Sequence, residues 1–168
     1  LALCAFCVAL RLYGLDFQLP QTALGDEWIH VSALDQFARH PGFDPSNLRF
    51  YPHFVPRLAS WFWREGQGSP AELAQHLERA SGFALHLRLC VALLSVLVVP
   101  ATYLIARRFL GRWPALFAAG LAGTSFLGLW YSTQARPHGA FEALAALGVL
   151  GALEVRRRGD LRSWLLAG

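Results

Sequence analysis

The chain has no methionine and no lysine among its 168 residues, few charged side chains and only three cysteines. Without an initiating methionine, the sequence is expected to begin part-way into a longer protein. Cys4, Cys7 and Cys90 all fall in apolar segments. Cys4 and Cys7 have CxxC spacing, but a zinc site of that kind needs a second pair, so they read as small apolar core residues. Every basic side chain other than histidine is arginine, a matter of codon usage rather than chemistry. These arginines flank apolar runs and do not form a stripe interleaved with stacking aromatics, so the net charge of +4 does not point to nucleic acid.

The most informative shortage is of charge. None is present from Leu89 to Ala106 or from Trp113 to Gln134, and Pro137 to Val155 holds only Glu142 and Glu154. Each run approaches the roughly 20 residues a helix needs to cross a hydrocarbon core. A soluble domain would interrupt them. The fold class expected is all-α, a polytopic transmembrane helix bundle. Spans are expected at 1–15, 84–106, 113–131 and 137–155, a fifth opens near 163, and an outer loop covers 16–83. Residues 1–168 then form the N-terminal part of one transmembrane domain. A signal peptide over residues 1–10 would be followed by a small-residue cleavage pattern, which is missing.

Flanking arginines set the sidedness. Arg107, Arg108 and Arg112 lie in one short turn, and Arg156, Arg157, Arg158 and Arg162 follow the 137–155 span. Short arginine-rich loops stay cytoplasmic, which sends the long loop and the Ser132–His138 turn to the other side. The long loop has five arginines of its own, but it exceeds the length at which this rule holds, and its eight acidic residues outnumber them.

That loop carries helix punctuation. Ser69-Pro70-Ala71-Glu72 is a capping box with proline at the first helical position, and Gly82 is the expected stop. A helix is expected from near Asp26 to about Arg39, with Trp28, Val31, Leu34 and Ala38 on its apolar face and His40-Pro41-Gly42 ending it. A third segment, Phe54 to Arg64, is dense in aromatics. Tryptophan and arginine together favour the headgroup region, so the loop reads as amphipathic helices lying on the membrane surface.

Two groups of polar residues can carry chemistry. Gly25-Asp26-Glu27-Trp28 has an ordinary reading, with Asp26 as N-cap and both charges favoured by the helix dipole. Its chemical reading is a general base at the membrane surface, with His30 one turn on and within reach of Asp26. The second group is Ser132-Thr133-Gln134-Ala135-Arg136-Pro137-His138. It reads either as a turn whose arginine snorkels to headgroups or as a phosphate-binding turn, for which the guanidinium fork is suited. Sidedness puts both groups on one face. His53 in Tyr51-Pro52-His53-Phe54 and Arg88 near the outer end of its span are further candidates for substrate contact. Glu142, near the outer end of its own span, reads as a headgroup-level hydrogen-bonding group or an intramembrane functional carboxylate.

The order of these features resembles the N-terminal part of the GT-C membrane glycosyltransferases. The nearest groups are the protein-mannosyltransferase and aminoarabinose-transferase-like enzymes. The resemblance rests on Asp26-Glu27 opening an outward loop, Tyr51-Pro52-His53-Phe54, an arginine before the second span, the Arg107-Arg108-Phe109-Leu110-Gly111-Arg112 turn, and Ser132-Thr133-Gln134-Ala135-Arg136-Pro137. It covers nearly the whole chain, and its strength lies in order and topology rather than in any one string. It implies inverting transfer of a sugar from a polyprenyl- or dolichyl-phosphate donor to an acceptor hydroxyl on a lipid, glycan or protein outside the cytoplasm. Asp26 would be the catalytic base, Glu27 its neighbour in the acidic motif, and Arg136 the arginine of the second motif. His138 stands where relatives often have an acidic or aromatic residue. Participation of a divalent metal varies across the superfamily. Bacterial relatives place the enzyme in an inner membrane rather than the endoplasmic reticulum, among membrane lipids. The competing class is a non-catalytic multispan protein, a transporter or a lipid-binding subunit.

Overall fold

The computed structural model describes residues 1–16, 27–39, 54–62 and 73–158, and every regular element among them is an α-helix. In chain order these are α1 (Ala2–Leu12), α2 (Glu27–Arg39), α3 (Phe54–Phe62), α4 (Leu73–Ser95), α5 (Val98–Ala106), α6 (Arg112–Thr124), α7 (Phe126–Ser132) and α8 (His138–Arg158). The protein is an all-α membrane helix bundle. Among the described residues, Gly82–Ala106 and His138–Arg157 are each long and apolar enough to cross a membrane. α6 and α7 together meet the same test but are bent by 49° at Ser125. α1 is a shorter apolar helix.

Local chemistry explains the breaks. Pro100 has no N–H and its ring crowds the carbonyl of Val96, so the α4–α5 span tightens between Ser95 and Val98. Val99 N–H takes up the Val96 carbonyl at 3.0 Å instead. At the α6–α7 break Ser125 is extended (φ −57°, ψ 135°), and its Oγ accepts from Gly128 N–H at 3.2 Å, capping α7. The charge-free run from Trp113 is thus two helices rather than one. Gly82, expected to stop a helix, lies inside α4. A mid-helix glycine costs only about 1 kcal/mol, and the buried Phe83, Ala84 and Leu87 that follow it outweigh that. The capping box at 69–72 and the His40–Gly42 stop lie outside the described residues.

Two apolar clusters hold the bundle. The first joins Val31 and Leu34 of α2, Val55 and Ala59 of α3, Phe83, Ala84, Leu87 and Val91 of α4, and Ala135 and Ala140. Polar contacts reinforce it: His86 Nε2 donates to Ala59 O at 2.9 Å, and the Arg57 guanidinium lies 5.3 Å from the centre of the Phe37 ring. The second cluster packs Cys7 of α1 with Val98 and Val99 of α5, Ala119 of α6 and Ala143 of α8. Around them Leu89, Leu93, Phe117, Leu121, Phe126 and Trp130 are exposed, as suits side chains facing lipid. Glu154 near the end of α8 pairs with both Arg108 and Arg157. This brings the α5–α6 turn and the C-terminal end of α8 to one end of the bundle. The Ser132–His138 turn lies at the other end of α8.

Candidate functional site

The turn between α7 and α8 is built from back-bonded hydroxyls. Ser132 Oγ donates to Leu129 O at 2.8 Å and Thr133 Oγ1 to Trp130 O at 3.0 Å, which ends α7. Gly139 lets α8 start against it. A Cβ there would lie 3.1 Å from Ser132 Cα and 3.4 Å from Ser95 Cβ. Gln134 is buried, and its Oε1 has no hydrogen-bond partner among the described residues. Ala135 is buried and belongs to the first apolar cluster. Arg136 is half-buried and His138 exposed, its ring edge-on to Tyr131 with centroids 5.1 Å apart.

The candidates from the loop and from α4 are placed as follows. α2 begins at Glu27 and ends at Arg39, in line with the expected helix. Asp26 and His53 lie outside the described residues, as does the side chain of Glu27. His30 is buried on α2 beside Val31 and faces the protein. Arg88 is only 1% exposed, and its Nη1 donates to Leu15 O at 2.7 Å, fastening the chain that leaves α1 to the face of α4. Ala135 of the second motif and Val31 and Leu34 of α2 belong to one apolar cluster, which also takes in Leu87 and Val91 of α4. Among the described residues no group of three or more His, Cys, Asp or Glu is placed to hold a metal ion.

The sequence reading passed over one charged residue that the fold buries. Arg11 closes α1 and is 1% exposed. Its Nε donates to Ser95 Oγ at 2.8 Å, and its Nη1 donates to Gly123 O at 2.9 Å and Cys7 O at 3.2 Å. An arginine at the end of a ten-residue apolar run was the available signal, because charge within a span is costly unless it is used.

The sequence pattern of the dolichyl-phosphate-mannose-protein mannosyltransferase family matches residues 77–168, more than half of the chain. Helical architecture, apolar spans and this match define an integral membrane glycosyltransferase of the GT-C type. The chain belongs to the dolichyl-phosphate-mannose-protein mannosyltransferase family. No curated protein and no solved structure matches it.

Proposed function

We propose that the chain forms the donor-phosphate and acceptor face of an inverting glycosyltransferase that uses a polyprenyl- or dolichyl-phosphate sugar on the non-cytoplasmic side of the membrane. One observation carries this beyond the family. Ala135 of the Arg136 turn is buried in the same apolar cluster as Val31 and Leu34 of α2, the helix that begins at Glu27. In the proposed reaction the acceptor hydroxyl attacks the anomeric carbon from the face opposite the phosphate. Asp26 takes its proton, which requires a carboxylate within about 3 Å. The bond from the anomeric carbon to the phosphate oxygen breaks, and Arg136 stabilises the charge gathering there. Glu27 is the sequence neighbour of the base, His53 and His138 are the proposed contacts to acceptor or donor, and buried His30 would act from within α2. Arg88 adds positive charge from within the protein and holds the α1 exit in place.

A non-catalytic reading draws on the α6–α7 break, since transporters use broken spans near their binding sites. Sugar transfer by the full-length protein separates the two. Asp26→Asn is expected to lower transfer from a polyprenyl-phosphate sugar by about 10²–10⁴-fold with donor binding retained; full activity would remove Asp26 as the base. A wild-type protein that binds donor but transfers nothing would favour the lipid-binding reading.

A further inference from the structure

Arg11 is the only fully buried charged side chain among the described residues of α1, and it sits where three helices meet. The break at Ser125 explains why a charge is tolerated there. A helix leaves its last carbonyls without a donor one turn on, and within a membrane-spanning bundle those oxygens need a partner from the protein. Gly123 is one of the last residues of α6, and its carbonyl accepts from Arg11 Nη1 at 2.9 Å. The C-terminal end of a helix is also the negative end of its dipole, so a guanidinium suits it. Glu142 of α8 lies on the other side of the break. Its Oε2 is 3.3 Å from the position a Cβ on Gly128 would take, and it attracts Arg11 electrostatically.

The same guanidinium reaches the candidate site from behind. Its Nε binds Ser95 Oγ, and Ser95 Oγ donates in turn to Ala92 O at 2.7 Å, which fixes its rotamer. Ser95 Cβ packs on Gly139, which abuts the backbone of Ser132. A short contiguous path therefore runs from Arg11 to both ends of the 132–138 turn. It passes through the α6–α7 bend on one side and through Ser95 and Gly139 on the other.

We infer that Arg11 is a positioning residue: it holds the α6–α7 bend and thereby sets the placement of the Arg136 turn for a lipid-linked phosphate. The second half of this statement rests on the proposed function; the first does not. Arg11→Lys keeps the charge but has no fork to span Ser95 and Gly123 together. The test uses full-length protein with spin labels on keto-bearing amino acids at Phe117 of α6 and Trp130 of α7, both exposed. Binding of undecaprenyl phosphate is measured on the unlabelled variants.

Arg11→Lys and Ser95→Ala are expected to remain folded, to broaden and lengthen the 117–130 distance, and to weaken undecaprenyl phosphate binding about tenfold, or ~1.4 kcal/mol. An unchanged distance in folded Arg11→Lys would overturn the inference. So would a changed distance with unaltered binding, which would make Arg11 a purely structural clasp. Lost binding at unchanged distance would also overturn it, because Arg11 would then touch the ligand itself. Should Arg11→Lys fail to fold, Ser95→Ala decides by the same readings. If the wild type does not bind undecaprenyl phosphate, the donor assignment fails, while the distance still decides the hold on the bend.

Discussion

A Cβ added at Gly123 would lie 2.7 Å from both Cys7 Sγ and Val99 Cγ2, whereas one at Gly120, a turn earlier, meets nothing within 4 Å. Identical chemistry at two positions of α6 thus has opposite expected outcomes. Gly123→Ala should cost about 1–3 kcal/mol through overpacking, read as a lowered melting temperature. Gly120→Ala should be neutral or stabilising, by up to about 1 kcal/mol, through its higher helix propensity. At this scale the sequence was partly legible. Arg136 and His138 were visible as polar residues crowded into one turn. Arg11 was not, because one charge at the end of an apolar run reads as a flank until the neighbouring helices are seen to enclose it.

Among the elements, α2 and α3 form a platform whose undersides are seated on α4 through Val31, Leu34, Val55 and Ala59. Leu34 is fully buried there. Leu34→Ala should cost about 2–5 kcal/mol, measured by denaturation in detergent. It should also weaken donor binding, since the Arg136 turn rests on the same cluster through Ala135. Periodicity and end signals made α2 legible almost to its limits, and the aromatic run announced α3. Two local signals misled. Gly82 looked like a terminator, but tertiary burial of the residues after it carries α4 through. The absence of charge from Trp113 onward gave no sign of the 49° bend between α6 and α7, because hydropathy reports solubility in lipid and not straightness. The small residues Gly120, Gly123, Ser125 and Gly128 were the trace of the bend, readable only with the partner that fills it.

For the whole molecule, the Glu154 pairs with Arg108 and Arg157 tie two arginine-rich segments to one end of the bundle. Both partners of the Arg108 pair are partly exposed, so Glu154→Gln should cost no more than about 1 kcal/mol, too little to alter the fold. The sidedness expected from these arginines is a separate matter. An enzyme reporter active only in the cytoplasm, fused after Arg158, should be active, and activity of an exterior-only reporter at that site would reverse the topology. The all-α membrane class was the most legible level, because polar backbone groups must be satisfied internally across a bilayer's thickness, which leaves few ways to arrange an apolar sequence.

The close seating of Cys7 against Gly123 has a practical consequence for watching this protein work. Cys7 is fully enclosed while Cys4 and Cys90 are partly accessible, so the chain carries its own graded set of reporter thiols. In purified full-length protein, a membrane-permeant maleimide should modify Cys7 more slowly than Cys4. Any treatment that parts α1 from α6 should speed Cys7 first. The rate of that one alkylation then times how often the first helix lets go of the broken span.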